Sequence, residues 1–374
     1  MNLRIGIDFD NTIVNYDSTF RKIASQNKLI TKNWNGNKQQ LRKEIIKKKN
    51  VEEWKKLQGL VYGQYINLAK LNEGVENFLL KSKLLKTKIF IVSHKTIHGH
   101  YDKKKILLRK VAIDWIRKKN FFKKKFVNKK NIYFEKNIDN KIKRINSLKL
   151  NFFIDDLKLI LKNEKLDINI KKILFNQTTK KIKDSNLFHY SKWKNINEHI
   201  YKNSNKEVIK NFGEFISEKK ISKVKKIKGQ KNSEVYKIHF KKGDAAALKQ
   251  YPDKVLDNRE RLARDFLGTK LLKKNNINCV PKPLYANELL NISIFQWING
   301  KKIVQPSNDD LNRAIDFVKN LKTLSSKNNS FPYDAVESCK CLKDILNQIE
   351  YKKSSLLNIS SSKKIKKFIQ SYFK

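Results

Sequence analysis

Up to about residue 200, short apolar runs rich in β-favouring residues alternate with longer amphipathic stretches. The runs are LRIGIDF, KIFIVS, NIYF, NFFIDD and KKILF. Near-continuous apolar strands separated by helical segments predict a parallel sheet covered on both faces, an α/β architecture. Between the first two runs lies an insert from residue 15 to about 80, rich in Lys and Gln with Trp34, Trp54 and Leu57, which reads as helical. The texture changes at SKVKKIKGQKNSEVYKIHFKKGDAAALKQY. There the pattern predicts a strand, a turn at Gly229, a strand, a turn at KKGD and a third strand, with helical stretches following from DNRERLARDFLGTKLLKK onward. The polar segment HIYKNSNKEV, around residues 199–208, is the expected boundary between domains at 1–200 and 205–374. No internal repeat is visible.

The 374 residues suffice for two hydrophobic cores, and 39% hydrophobic with 10% aromatic residues is a globular composition. Lys+Arg 84 against Asp+Glu 35 leaves +49. Such a balance ordinarily points to nucleic acid, but these lysines are spread along the whole chain among Asn, Ile and Phe, so a solvated surface is expected and nucleic acid is not. Cys279, Cys339 and Cys341 form neither a disulfide framework nor a zinc pattern and are expected as packing residues. No apolar run approaches a membrane span and no signal-like start is present, so a cytoplasmic protein without membrane contact is expected.

Charge becomes informative at the mouth of the first strand, in IGIDFDNTIVNYD. An ionised carboxylate beside a buried strand is unfavourable unless it is paired or metal-bound. Asp8 and Asp10 stand at that strand's end, Ser93 ends the second strand, and Asp155 and Asp156 end a later one. In an open α/β sheet these ends converge. Four carboxylates repel one another unless a hard cation joins them, so Mg²⁺ is the expected cofactor, with Asp8, Asp10, Asp155 and Asp156 as the metal set. Lys141, opening an amphipathic helix, can balance the cluster, with Lys143 as a rival. His94, His98 and His100 read as surface or cap contacts.

DxDxT after a strand, Ser at the next strand end, a later Lys and an acidic pair resemble the haloacid dehalogenase-like (HAD) hydrolases over residues 1 to about 200. The resemblance implies a Rossmann-like parallel sheet with a helical cap at residues 15–80. It implies that Asp8 attacks phosphorus, Asp10 is general acid and base, and Thr12 supports the loop. Ser93 and Lys141 would hold the transferred phosphoryl group, and Asp155, with Asp156, would hold Mg²⁺ alongside Asp8. A small phosphorylated metabolite is the implied substrate.

In the C-terminal part, a turn around Gly229 and Ser233 offers backbone N–H groups to a phosphate. Lys249 lies mid-strand, where a kinase holds α- and β-phosphates. The order of elements resembles the small lobe of aminoglycoside phosphotransferase and choline kinase-like enzymes, an α+β protein-kinase-like lobe followed by part of a helical lobe. The resemblance implies that Lys249 binds phosphate, pairs with Asp265 (Glu260 as second choice), and that Gln296 and Trp297 form the hinge for adenine, making ATP or another nucleotide a candidate ligand. That family's catalytic loop begins His-Gly-Asp, and after His239 this sequence contains no histidine. The module is therefore expected to be truncated before the loop, to transfer no phosphate, and to self-associate through uncovered apolar surface. The alternatives are a non-catalytic nucleotide- or phosphate-binding protein, or a small-molecule kinase whose catalytic lobe is missing here.

Overall fold

The computed structural model describes residues 3–176, 186–201, 205–227, 233–252, 260–300, 303–326, 341–359, 367–368 and 371. Two compact units divide the chain, residues 1–219 and 220–374.

The first unit begins with β1 (Arg4–Ile7), β2 (Val14–Asn15), α1 (Asp17–Gln26), α2 (Lys38–Lys48), α3 (Val51–Tyr62), β3 (Lys70–Leu71), α4 (Val75–Leu84) and β4 (Lys88–His94). It continues with α5 (Leu108–Lys118), β5 (Ile132–Glu135), α6 (Ile138–Ser147), β6 (Phe152–Asp155), α7 (Lys158–Leu161), β7 (Lys171–Phe175), β8 (Leu187–Tyr190), α8 (Trp193–Tyr201) and α9 (Asn205–Ser217). The five apolar runs are all strands of one parallel sheet, ordered β5-β4-β1-β6-β7-β8. β1 lies at the point where the chain, having laid strands on one side, returns to lay them on the other. At such a switch point the loops after neighbouring strands diverge and leave a crevice at their carboxyl ends. Gly6 lets β1 pack tightly, since a Cβ there would meet the Leu150 and Phe153 side chains at 2.4 and 2.7 Å. Phe153, Ile142, Ile145, Val92 and Leu174 form the core on the α6 side.

β2 and β3 pair antiparallel and form the neck through which the insert leaves and re-enters. The insert is helical, as its pattern predicts: α1, α2 and α3 pack on one another around Phe20, which stacks on Trp54 at 5.2 Å. Asn37 and Asn50 cap α2 and α3, each side chain accepting from a backbone N–H of the first turn, which is why both helices start where they do.

α9 falls in the first unit, where Val208, Ile209 and Phe212 are buried, and the division of the chain follows Lys219. One expectation needs correction. Cys279 and Cys341 are exposed free thiols rather than packing residues, and Cys339 lies outside the described residues.

The second unit holds β9 (Ile221–Ile227), β10 (Glu234–Phe240), β11 (Ala245–Gln250), α10 (Arg261–Lys274), β12 (Pro283–Asn287), β13 (Ile292–Gln296), α11 (Asn308–Ser326) and α12 (Leu342–Ile359). Its five strands form an antiparallel sheet, ordered β12-β13-β11-β10-β9. The KKGD hairpin turns at Gly243, whose φ of 109° favours glycine. Leu311, Ile315 and Val318 of α11 and Leu342, Ile345, Leu346 and Ile349 of α12 are exposed. Among the described residues no helix is long and apolar enough to cross a membrane.

Candidate active site

The alternation of an extended chain sets the two first carboxylates on one side. Between them Phe9 points the other way, fully buried and edge-on to Trp115 and Phe134 at 5.6 and 5.7 Å. Asp8 still belongs to the sheet, its N–H donating to Ile154 O at 2.8 Å. The chain then turns sharply: Asn11 is left-handed at φ 64°, and Ile13 and Val14 N–H both return to Phe9 O. Outside contacts hold the turn. Asn72 Nδ2 donates to the Asn11 and Thr12 carbonyls at 3.0 and 2.9 Å, and Trp193 Nε1 donates to Thr12 O at 3.1 Å. The Thr12 hydroxyl is buried with no hydrogen-bond partner.

Lys141 lies one turn inside α6, whose first turn is capped by Asn137. Its ammonium donates to Asp8 Oδ1 and Asp155 Oδ2, both at 2.6 Å, and its side chain is 2% exposed. Lys143, the rival, is exposed. Asp155 ends β6 beside β1, and its other oxygen accepts from Leu157 N–H at 2.8 Å. Asp156 accepts from Asn11 Nδ2 at 3.2 Å. Asp8, Asp155 and Asp156 bring one oxygen each within 4.8 Å of one another, and among the described residues they are the one group of this kind. Asp10, the fourth carboxylate of the expected set, is not among these three. Its oxygens instead receive the Lys95 ammonium at 3.1 and 2.9 Å and the Tyr16 hydroxyl at 2.7 Å.

Burial pushes the Asp8 carboxyl up to about 7; Lys141 pulls it down, while Asp155 and Asp10 push it further up. Lys141 is held above its ordinary value: burial opposes its charge, and Asp155 and Asp8 outweigh that. Asp156 is raised well above the carboxylate range by burial first, then by Asp8 and Asp155. One lysine therefore does not neutralise three crowded carboxylates. Hard oxygen donors at this spacing, two of them buried, fit a Mg²⁺ ion, which takes one or two carboxylates and leaves positions for phosphate oxygens.

Ser93 is buried at the end of β4, the strand next to β1, on the same sheet edge. His94, the last residue of β4, and His98 and His100, on the following loop, are exposed, and the backbone of Gly99 and His100 packs against Gly59 of α3. Lys95, Tyr16 and Asn11 were not singled out by the sequence. Lys95 is two residues beyond Ser93, but nothing in its spacing separates it from other lysines.

In the second unit Lys249 pairs with Asp265 of α10, and Glu260 stands at that helix's N-cap. Tyr251 OH donates to Asp265 at 2.7 Å and lies 2.8 Å from Ser293 Oγ. Ser233 precedes β10, in which Val235 is the register partner of Lys249. Gln296 ends β13 opposite Ala246, and its N–H donates to Lys282 O at 2.8 Å. Gly229 lies outside the described residues.

No family model matches the sequence, and no curated protein matches it. Solved structures show partial likeness. A HAD-superfamily hydrolase from Ehrlichia chaffeensis is 14% identical, with a TM-score of 0.31, over 54% of this chain and 98% of that one. A HAD-superfamily hydrolase of subfamily IA from Geobacter sulfurreducens is 10% identical, with a TM-score of 0.33, over 52% of this chain and 98% of that one. A protein described as a fructosamine-3-kinase, from Thermobifida fusca, is 15% identical, with a TM-score of 0.22, over 25% of this chain. This chain spans only 32% of that kinase's length. The fold stands on the strand order and register given above, and not on these likenesses.

Proposed function

We propose that the first unit hydrolyses phosphomonoesters of small metabolites through a phosphorylated Asp8. The observation that supports this reading is the division of labour at the end of β1. Asp8 sits in a carboxylate cluster built around Lys141, while Asp10, on the same side of the turn, is held apart from it by Lys95 and Tyr16.

A carboxylate of Asp8 attacks phosphorus, and the ester P–O bond breaks. Asp10 gives its proton to the departing alcohol oxygen. A water then attacks the aspartyl phosphate, Asp10 takes the water's proton, and Asp8 and inorganic phosphate are released. Lys141 places a fixed positive charge beside the attacking carboxylate, where negative charge accumulates in the transition state. Lys95 and Tyr16 hold Asp10 in one orientation through both proton transfers. Asp8, Asp155 and Asp156 would hold Mg²⁺, which supplies charge neutralisation for the phosphoryl oxygens.

The second unit belongs to the same proposal as a phosphate- or nucleotide-binding module without transfer. Lys249 supplies a cation, but the described residues place no cluster of carboxylates beside it that could hold a metal on a nucleotide. Self-association through the exposed apolar positions of α11 and α12 is its expected consequence.

The test is phosphate release from a broad panel of esters by the full chain. It should require a divalent cation, stop with EDTA, and fall by about 10⁴-fold or more in Asp8→Asn, since an amide cannot attack phosphorus. Release that survives in Asp8→Asn would overturn the reading.

A further inference from the structure

The mechanism above gives Lys95 the task of orienting Asp10 and leaves Lys38, a half-buried lysine of the cap, without a role. Lys38 is the first residue of α2, in the cap, and Lys95 follows β4, in the core. Distant in sequence, they approach the same aromatic ring: Lys38 Nζ lies 5.4 Å and Lys95 Nζ 5.3 Å from the centre of Tyr62. Lys38 Nζ also lies 5.5 Å from the centre of Phe20, and Lys95 Nζ 5.5 Å from that of Phe9.

We propose that these two ammonium groups form the subsite for a second anionic group of the substrate, a carboxylate or second phosphate carried by the alcohol that leaves. The inference rests on the phosphatase reading of the same site.

Position supports it. Lys95 bonds Asp10, which hands its proton to the leaving oxygen, so this side of the site faces the leaving alcohol. Lys141, bonded to Asp8 and Asp155, occupies the phosphoryl side. Partnership supports it as well. An ammonium carries three donors. That of Lys38 donates to Tyr62 OH at 2.7 Å, and among the described residues no carboxylate lies in ion-pair reach of it. Half-buried and partnered by a phenol, this ammonium keeps donors that an arriving anion can take up. Burial opposes the charge of Lys38, yet Tyr62 and the fields of Asp156 and Asp10 outweigh it, so the residue stays charged at neutral pH. The Tyr62 hydroxyl accepts from Lys38, and Tyr16 stands edge-on beside it at 4.9 Å. Two cations and a phenol select for a negative substituent. They also select against a positive one, because an amine there would meet like charges.

The experiment compares esters that differ only in that substituent. 3-Phosphoglycerate and glycerol 3-phosphate differ by a carboxylate for a hydroxymethyl group, and phosphoethanolamine and ethyl phosphate differ by an amine. With the full chain and Mg²⁺, kcat/KM for 3-phosphoglycerate should exceed that for glycerol 3-phosphate by about tenfold or more, as expected where one charged hydrogen-bonded contact is gained. Phosphoethanolamine should fall below ethyl phosphate. The first ratio should collapse toward one in Lys38→Met, survive in Lys38→Arg, and survive in Lys48→Met, which alters an exposed lysine paired with Glu44. A wild-type ratio near one, or a ratio that Lys38→Met leaves intact, overturns the subsite while the phosphatase reading stands. If no ester is hydrolysed, the phosphatase reading fails, and calorimetric titration of both phosphoglycerols into Asp8→Asn protein with Mg²⁺ decides the subsite. Tighter, Lys38-dependent binding of 3-phosphoglycerate supports it, and equal affinities overturn it.

Discussion

Each unit of this protein contains a lysine bound to an aspartate from a distant part of the chain, and burial gives the two pairs opposite meanings. Lys141 is 2% exposed and lies between Asp8 and an Asp155 that is fully buried. Lys249 and Asp265 are 31% and 33% exposed, with water screening both. Around Lys141 every charge must be answered by another group, so its neighbours are carboxylates, and they outnumber the one cation. Around Lys249 solvent answers the charge, and Tyr251 shares Asp265. The same two residue types thus make an enclosed, carboxylate-rich cluster in one unit and an open, solvated contact in the other.

Removing Lys141 is the strongest way to test that contrast. Lys141→Met should lower phosphate release by about 10²-fold or more, since it withdraws a charge aimed at the reacting group. It should also destabilise the first unit by about 3–5 kcal/mol at pH 7, because two buried carboxylates lose their partner. Asp8 is already raised to about 7. Without the lysine, protonation of these acids relieves the repulsion, so the difference from wild type should shrink as pH falls toward 4. Urea unfolding followed through the buried Trp54, Trp115 and Trp193 reads it. Equal urea midpoints would mean that burial does not give the pair its energy.

Much of this site was legible because its signals are local. The DFD alternation puts Asp8 and Asp10 on one side and Phe9 in the core, and FFIDD reads as a buried strand ending in acids. The strands themselves are apolar runs that any parallel sheet would need. What stayed hidden depends on contacts between distant segments. Lys38, Lys95 and Tyr62 come together only when the cap folds over the core. Among 84 Lys and Arg residues no spacing marks these two as neighbours of one ring. Asp10 reads as a metal ligand from its neighbours in sequence, and its ion pair with Lys95, just after β4, leaves no mark there. The short β8 and the attachment of α9 to the first unit are likewise products of packing and leave no periodic trace.

The open pair supplies the second test. Lys249→Ala should change the stability of the second unit by less than about 1 kcal/mol, the range of exposed ion pairs. Asp265 keeps its hydrogen bond from Tyr251 in the variant, so no buried charge is stranded. Chemical denaturation followed by Trp297 fluorescence measures it. A loss above about 2 kcal/mol would place Lys249 in the same class as Lys141 and break the comparison.

Lys81 sharpens the contrast from inside the first unit, because it is largely covered yet touches no carboxylate. It lies on α4 with its ammonium 5.3 Å from the ring centre of Tyr201. Burial lowers its pKa to about 8, opposed only by the distant charge of Glu198. An unfolded lysine titrates near 10.4, so between about pH 8 and 10.4 the unfolded chain binds more protons than the folded one. The penalty for folding around this ammonium is therefore complete below pH 8 and fades as pH rises through that window. Lys81→Met should stabilise the first unit by about 1 kcal/mol at pH 7, discounted for partial exposure and for the lost ring contact. The advantage should be nearly gone at pH 10. Urea midpoints of wild type and variant at the two pH values give the difference directly. A gain independent of pH would assign the effect to the added methionine contact, and a loss at pH 7 would show that the Tyr201 ring compensates the buried charge as fully as Asp8 and Asp155 compensate Lys141.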